Sequence, residues 1–198
     1  MKHLWTLGFV SLLILPVLSL SQSIARADSH RATNAEDIVA IEQVQTQYQF
    51  AIDSQDGDAV ADLFTPDGVF DVFFNDGKGN ITPFNGGLGC VNTGHDQIKH
   101  FIQNLSKTTT PLAFRGHSHH FITGQVVDVQ GDSATLKANL VAGSIGAAGG
   151  PLNGVTGDYD NILERTPDGW KYVRNRVLVD QNFSLPCGPN GPIPFNGP

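Results

Sequence analysis

Apolar residues recur at every third or fourth position between Thr33 and Asp53, and this spacing predicts an amphipathic helix. The repeating positions are Ile38, Ile41, Val44, Tyr48 and Ile52. Thr33 and Glu36 have the spacing of a capping box, so we expect the helix to begin there and to end near Asp53. Gly57 is expected to break the helix before a short second one over residues 59–64.

The middle of the chain alternates short apolar stretches with turns rich in glycine, asparagine and aspartate. This pattern predicts a turn at residues 66–68, a hairpin, a glycine-rich loop and a third helix. The hairpin strands are residues 68–74 and 81–84, the loop is 85–93 and the helix is 95–105.

Beyond the third helix the apolar period changes to two, which predicts strands. Four strands are expected over residues 115–129, 134–144, 157–165 and 170–180. Residues 145–156 are expected to form a loose insertion, and residues 184–198 to form no regular element. The resulting order of elements is typical of an α+β fold. We expect a cone-shaped roll, in which a curved, mainly antiparallel sheet wraps around the long N-terminal helix and leaves a mouth for a small apolar molecule.

The first 27 residues have the pattern of a secretory signal peptide. A basic start is followed by an apolar stretch and then by Ala25-Arg26-Ala27, whose small residues fit a cleavage site after Ala27. A membrane anchor is the alternative, but the apolar stretch is short and Pro16 interrupts it. We therefore expect a secreted or periplasmic protein without a membrane segment after cleavage. Residues 28–182 are expected to form one domain and residues 183–198 a Pro/Gly-rich tail.

The charge of the chain argues against a nucleic-acid partner, and its two cysteines suggest a disulfide. The formal net charge is −7, and no basic stripe is present, so nucleic acid is not expected to bind. Cys90 and Cys187 are the only cysteines, and in an exported protein such a pair predicts one disulfide. Two unpaired thiols are the alternative.

Three stretches of the sequence resemble the SnoaL-like branch of the nuclear transport factor 2-like superfamily. They are residues 51–70 (AIDSQDGDAVADLFTPDGVF), 119–136 (HHFITGQVVDVQGDSATL) and 159–177 (YDNILERTPDGWKYVRNRV). The resemblance covers about residues 36–180 and implies the cone-shaped fold, with a homodimer as a possible assembly. The superfamily includes cyclases, dehydratases, isomerases and non-catalytic binding modules, so fold alone does not decide the reaction.

The resemblance also implies a pair of catalytic residues inside the cone. In enzymes of this branch an aspartate closing the first helix and a histidine on the third strand form a dyad, and the matched stretches place these roles on Asp53 and His120. A neutral imidazole can take a proton at neutral pH, while the carboxylate fixes its tautomer. Such chemistry needs no metal or organic cofactor, and none is expected. Relatives often carry an asparagine four residues after the histidine, where this chain has Gly124.

Other residues are expected to assist this pair or to contact the ligand. Tyr48 is assigned as an assisting catalytic residue because some dehydratase-like relatives use a pocket tyrosine there, although a core aromatic fits the position as well. Ligand contacts are expected from Phe64, Phe70, Phe101 and His119.

Strand alternation places His120 and Val126 on one face of their strand, and His119 and Val127 on the other. His117 and His119 therefore share a face, but no third metal ligand is evident, so no metal site is predicted.

Several charged residues have two interpretations. Asp71 and Asp160 either supply a second acid or face solvent. The arginines of the last two strands either bind a substrate carboxylate or lie on the sheet surface; they are Arg165, Arg174 and Arg176.

Together these features predict an exported, cofactor-independent lyase or isomerase that binds a small apolar molecule. A binding protein of the same fold without catalytic activity is the alternative.

Overall fold

The computed structural model describes residues 15–82, 88–104, 118–144, 153–180 and 193–194. The chain divides into two compact units, residues 1–36 and residues 37–198. The first unit contributes helical residues from Leu15 onwards. The second unit holds every described strand and every predicted site residue.

The described residues form three helices. They are α1 (Leu15–Asp53), α2 (Gly57–Ala61) and α3 (Gly94–Asn104). The start predicted at Thr33 is wrong, because the helical residues continue upstream to Leu15. Helix α2 is also earlier than predicted, since the Asp56 side chain caps it by accepting the Ala59 N–H at 3.0 Å. No helix in the described part of the chain has the length and apolar character needed to cross a membrane.

Eight described strands form one sheet in the order β4-β5-β6-β7-β1-β3-β8, with β2 paired to β1. Of the described strand pairs only β1–β7 is parallel, which confirms the predicted α+β fold with a mainly antiparallel sheet. The strands are β1 (Phe64–Asn75), β2 (Ile81–Thr82), β3 (Leu88–Thr93), β4 (Ser118–Gln130), β5 (Ser133–Ser144), β6 (Asn153–Thr166), β7 (Gly169–Val179) and β8 (Ile193–Pro194).

Four predicted loop or turn segments contain strand residues instead. The glycine-rich segment predicted as a loop contains β3, which pairs with β1 from Val69 to Val72. The turn predicted at residues 66–68 lies within β1, where the pairing with β7 shifts register between Phe64 and Val69. Strand β6 begins at Asn153, inside the predicted insertion. In the tail, residues 193–194 pair with β3 as β8.

Helix α1 packs its apolar face against the sheet through Tyr48. The ring of Tyr48 lies 6.3 Å from that of Phe70, 5.8 Å from that of Tyr159 and 6.2 Å from that of Tyr172, on strands β1, β6 and β7. All four rings are almost fully buried. Helix α1 contacts these three strands, and its last turn lies beside β4, the strand that carries the predicted histidine, His120.

Gly157 marks a close approach between β6 and β7. A side-chain Cβ placed there would lie 2.1 Å from the main-chain oxygen of Leu178. The two strands therefore approach each other at this point only because residue 157 has no side chain.

An ion pair holds Asp37, the first residue of helix α1 that belongs to the second unit. Arg165 donates to one carboxylate oxygen of Asp37 at 2.5 Å, and the indole of Trp170 donates to the other at 3.2 Å. The guanidinium also lies 4.6 Å from the centre of the Trp170 ring. The hydrogen bond from Arg165 lowers the pKa of Asp37, against an opposing effect of burial.

Substituting Asp37→Asn should lower the free energy of unfolding by about 1 kcal/mol or less at pH 7, because the charge-assisted bond to Arg165 is lost and the exposed guanidinium is screened by solvent. A carboxyl whose pKa is lowered on folding stabilises the protein above the unfolded-state value of about 3.9. That contribution disappears as the pH falls through the folded-state pKa. Urea unfolding should therefore show a larger difference between Asp37→Asn and the wild type at pH 7 than at pH 3. Asp168→Asn, at an exposed acid of the β6–β7 turn, is the control; equal losses for Asp37→Asn at both pH values would contradict the interpretation.

Candidate active site

Helix α1 ends in a geometry that holds Asp53 in its last turn. The N–H of Asp56 bonds to the oxygen of Ala51 at 2.9 Å, and the N–H of Gln55 to that of Ile52 at 3.0 Å. This is the Schellman pattern, with Gln55 in the left-handed conformation (φ 56°) that glycine usually adopts. A carboxylate is disfavoured at a helix C-terminus, where the helix dipole is negative. Asp53 therefore depends on partners outside the helix.

His120 of β4 supplies those partners. Its main-chain N–H donates to Oδ1 of Asp53 at 2.9 Å and to Oδ2 at 3.2 Å, while ring Nδ1 lies 2.7 Å from Oδ1. The Asp53 side chain is 14% exposed and that of His120 is 7% exposed. The predicted pair therefore meets in a largely enclosed position, although the two residues are 67 positions apart.

The contact with the carboxylate decides which nitrogen of His120 is basic. An ionised carboxylate only accepts hydrogen bonds, so Nδ1 carries the proton in the contact with Asp53. In the neutral ring the lone pair then lies on Nε2. When Nε2 takes up a proton, the charge of Asp53 stabilises the imidazolium that forms. This arrangement suits a general base.

His119 lies beside the same carboxylate but on the other face of β4. Its Nδ1 is 3.9 Å from Oδ2 of Asp53, and its side chain is 66% exposed. Its ring lies 6.3 Å from that of Phe121, which is also exposed. The predicted contact of His119 with a ligand stays a prediction.

Tyr48 is part of the core, and it lies close enough to Asp53 for the charge of the carboxylate to affect the pKa of its hydroxyl. Burial raises its pKa well above the usual value, and neighbouring Tyr159 and Asp53 act in the same direction. The hydroxyl is therefore a neutral donor over the physiological range. Tyr159 is a residue that the sequence reasoning missed, although the alternation of Tyr159, Asn161 and Leu163 indicates one inward face of β6.

The predicted ligand-binding phenylalanines belong to the hydrophobic core. The rings of Phe64 and Phe70 lie 6.3 Å apart, and those of Phe70 and Phe101 lie 5.4 Å apart. All three side chains are buried. Their contact with a ligand stays a prediction.

Two of the open clefts are lined by described residues, and neither of these two is lined by Asp53 or His120. One has a volume of about 320 Å³ and lies beside Gly124 and Asn139. The other, of about 470 Å³, lies between Phe64, His95 and Lys171. The predicted pocket around the dyad stays a prediction.

Gly124 has a structural reason to differ from the family pattern. It adopts φ 64° at a bulge, because the pairing of β4 with β5 shifts between Thr123 and Val126. A Cβ on Gly124 would lie 2.8 Å from Nδ2 of Asn139. The bulge also corrects the predicted alternation, since Val127 pairs with buried Leu136 while Val126 is 65% exposed.

Substituting Gly124→Ala should lower the free energy of unfolding by about 1–2 kcal/mol, mainly because a left-handed conformation is costly for alanine. The Asn139 side chain is exposed, so it can move away from the new methyl group. Adding Asn139→Ala should therefore recover only a small part of the loss, as measured by chemical denaturation. Full recovery in the double variant would show that steric contact, not backbone conformation, decides the cost.

The arginines of the last two strands, which the sequence offered as ligands for a substrate carboxylate, form ion pairs with acidic side chains other than Asp53. Arg176 binds Asp71 through two nitrogens, with Nε–Oδ1 at 3.1 Å and Nη2–Oδ2 at 3.0 Å. Nε of Arg174 lies 3.6 Å from Oδ2 of Asp71. Burial raises the pKa of Asp71, and the two arginines oppose the shift. Arg165 is held by Asp37 of helix α1, 16 residues before Asp53 in the sequence.

The metal and disulfide interpretations involve residues beyond the described part of the chain. Among the described residues, no group of three or more histidine, cysteine or acidic side chains is arranged to hold a metal ion. His117, the proposed partner of His119, lies outside them. Cys90 is fully buried on β3, and Cys187 also lies outside the described residues, so the pairing stays a prediction.

A curled mixed sheet with helices is the fold of nuclear transport factor 2-like proteins. The family model for the SnoaL-like domain matches residues 33–176. The chain belongs to this family, which confirms the resemblance seen in the sequence. A comparison with curated proteins gives no match.

Solved structures show the same fold. A candidate aromatic ring hydroxylase from Novosphingobium aromaticivorans is 30% identical over 76% of this chain and 94% of its own, with a TM-score of 0.56. An NTF2-like protein with a cystatin-like fold from the same organism is 23% identical over 79% and 90%, with a TM-score of 0.61. A candidate scytalone dehydratase, also from that organism, is 17% identical over 80% and 95%, with a TM-score of 0.59.

Proposed function

We propose that this protein is a cofactor-independent lyase or isomerase that acts on a small apolar molecule. The observation that carries the proposal is the 2.7 Å contact between Asp53 and Nδ1 of His120, with both side chains largely shielded from solvent. It supplies a base held in one tautomer and a fixed counter-charge for the imidazolium. The dehydratase name of one similar structure agrees with this class of reaction.

In the proposed reaction Nε2 of His120 removes a proton from a carbon next to a carbonyl group or next to a leaving group. The electron pair of the broken C–H bond either expels the leaving group or moves into the carbonyl system. The proton then returns to the leaving group or to another carbon of the substrate. Tyr48 is proposed to assist through its neutral hydroxyl, which stabilises negative charge on the substrate oxygen.

A second candidate function is binding without chemistry. Gly124 favours it, because the asparagine often present there in relatives is missing and the neighbouring amide belongs to Asn139 on β5. In that case Asp53 joins the helix end to β4, and His120 completes the hydrogen bonds of the carboxylate.

Native mass spectrometry of freshly purified protein, followed by incubation with a panel of ketones and alcohols, separates these functions. An enzyme is expected to convert at least one member of the panel, and to lose that activity in His120→Gln. A retained molecule that is released unchanged, together with an inactive wild type across the panel, would support binding and contradict catalysis.

We also propose that the protein is exported, with cleavage after Ala27 and a disulfide between Cys90 and Cys187. The three-part N-terminal pattern and the single cysteine pair support this. The intact mass of the exported protein should correspond to a chain beginning at Asp28, and it should increase by two hydrogens on reduction. A mass that includes the first 27 residues would contradict cleavage.

A further inference from the structure

Three side chains with amide groups are buried where helix α1 packs against β6 and β7. They are Gln45, Asn161 and Asn175, and none is more than 1% exposed. The main-chain N–H of Arg176 donates to Oδ1 of Asn161 at 3.1 Å, so Nδ2 of Asn161 is the atom that faces the helix. That nitrogen donates to Oε1 of Gln45 at 2.9 Å. Since a donor needs an acceptor, the oxygen of Gln45 faces the sheet and its Nε2 points elsewhere.

Tyr172 extends this group towards Asn175. Burial raises the pKa of Tyr172 well above its usual value, so the hydroxyl keeps its proton and donates it to Oε1 of Gln45 at 2.7 Å. Asn175 lies close enough to that hydroxyl to oppose the rise of its pKa. Among the described residues, however, Nε2 of Gln45 and both amide atoms of Asn175 have no hydrogen-bond partner. We call Gln45, Asn161, Tyr172 and Asn175 the amide cluster.

The unpartnered atoms of the amide cluster are mainly donors. Each NH₂ group carries two N–H bonds, so Gln45 and Asn175 together offer four donors and one carbonyl oxygen. A buried donor without a partner is costly, and native proteins almost always supply one. The amide cluster therefore fits a molecule that presents an acceptor oxygen.

The surroundings of the amide cluster fit an uncharged molecule with an apolar ring. Asn175 of β7 pairs with Phe70 of β1, whose ring lies 6.3 Å from that of Tyr48. The charged residues that follow this pair, Asp71 and Arg176, lie on the other face of their strands and bind each other. A carboxylate or an ammonium group held by the amides would be buried without an opposite charge from these two residues, which is costly.

We propose that Gln45 and Asn175 bind the carbonyl oxygen of an uncharged cyclic ketone inside the fold. Their NH₂ groups donate to the oxygen, and the neighbouring aromatic rings contact the apolar part of the ligand. Gln45 precedes Asp53 by eight residues on α1, about 12 Å along the helix axis, so this oxygen belongs to the end of the ligand that is remote from His120. The inference names a polar group of the small apolar molecule, and it rests on the proposed function for that molecule being a substrate.

Binding of ketones and matched hydrocarbons measures the role of the amide cluster without any turnover. The probes are acetophenone and 1-tetralone, with ethylbenzene and tetralin as hydrocarbons of similar shape and benzoate as an anion. NMR titration of the wild type should give a Kd about five- to tenfold lower for each ketone than for its hydrocarbon, the scale of one net hydrogen bond. Benzoate should bind more weakly than either ketone.

Asn175→Leu tests the assignment, because leucine has nearly the shape of asparagine but no amide group. In this variant the Kd of each ketone should rise to that of its hydrocarbon, while the Kd of the hydrocarbon stays within about twofold of the wild-type value. Retained hydrocarbon binding also shows that the variant is folded.

Asn92→Leu is the matched control. Asn92 is fully buried, and its amide also has no hydrogen-bond partner among the described residues. It pairs with Phe70 from the other side, on β3, so it lies two strand spacings or about 10 Å from Asn175. This variant should keep the wild-type preference for ketones.

Two results would overturn the inference. One is an equal Kd for ketones and hydrocarbons in the wild type, or no binding of either, which would leave ordered water as the partner of the amides. The other is a preference for ketones that is lost in Asn92→Leu and kept in Asn175→Leu.

A turnover assay keeps this inference distinct from the proposed function. If a ketone is converted, Asn175→Leu should raise KM about five- to tenfold and leave kcat within about twofold, because the amide binds substrate and transition state alike. A ketone preference that depends on Asn175, in a protein that converts no ketone, would remove catalysis on these ketones and leave this inference. Turnover that is lost in His120→Gln, in a protein without a ketone preference, would do the reverse.

Discussion

His120→Gln should reduce kcat/KM by about 10²- to 10⁴-fold, the range that a positioned general base contributes. Glutamine can still donate a hydrogen bond towards Asp53, but it has no basic nitrogen to accept a proton from the substrate. The main-chain N–H of residue 120 continues to bond to the carboxylate, so the packing of α1 against β4 is retained. We therefore expect the unfolding midpoint to change by only a few degrees.

A large loss of kcat/KM with an almost unchanged unfolding midpoint would show that the His120 side chain acts in the reaction and not in folding. His100→Gln, at an exposed position on α3, is the matched control and should leave both quantities unchanged. Asp53→Asn should also lower the rate by at least about 100-fold, because the ring loses the carboxylate that fixes its tautomer. Turnover of His120→Gln at the wild-type rate would exclude the proposed mechanism.

Gly157→Ala should lower the free energy of unfolding by about 3 kcal/mol or more, at the upper end of the losses that overpacking causes. The new carbon would lie 2.1 Å from the main-chain oxygen of Leu178 and 2.9 Å from the Cα of Val179. Main-chain atoms of a neighbouring strand cannot rotate away as a side chain can, so the sheet itself must shift.

Gly131→Ala is the comparison that isolates steric contact. Gly131 has φ 66°, and a Cβ there would meet no atom within 4 Å, so only the conformational cost of about 1–2 kcal/mol applies. Urea denaturation of the two variants should therefore rank Gly157→Ala as clearly the less stable. Equal losses would show that β6 and β7 separate without difficulty at this point.

The sequence predicted best what depends on local periodicity. Helix α3 was expected over residues 95–105 and is found at Gly94–Asn104, because Ile98, Phe101 and Ile102 form one buried face. The meeting of Asp53 with His120 was predicted from the family resemblance rather than from periodicity. No local pattern brings together two residues separated by 67 positions.

The errors come from features that depend on distant partners. The capping-box spacing at Thr33 is a local signal, and the helical residues upstream override it. The segment containing β3 is rich in glycine, but its pairing with β1 buries Cys90 and Asn92. The bulge at Gly124 exists only in relation to β5, so alternation along β4 alone placed Val126 and Val127 on the wrong faces.

The sequence did not predict a group of buried polar side chains in the core. Asn161 donates to Oε1 of Gln45 at 2.9 Å, and Tyr172 donates to the same oxygen at 2.7 Å. Asn161 and Asn175 occupy neighbouring strands on the inward face, and both are fully buried. Asparagine in a strand is more often exposed, and the burial of Asn161 here is explained by its hydrogen bond to Gln45 on α1.

The hydrogen bond from the main chain of His120 to Asp53 also has a consequence for self-association. In the described sheet β4 is a terminal strand, and such strands invite pairing with another chain through unused N–H and C=O groups. The Asp53 carboxylate accepts a hydrogen bond from one of these groups, the main-chain N–H of His120. A substitution that removes the carboxylate would leave that N–H open to pairing with another chain, so Asp53 also protects this edge of the described sheet.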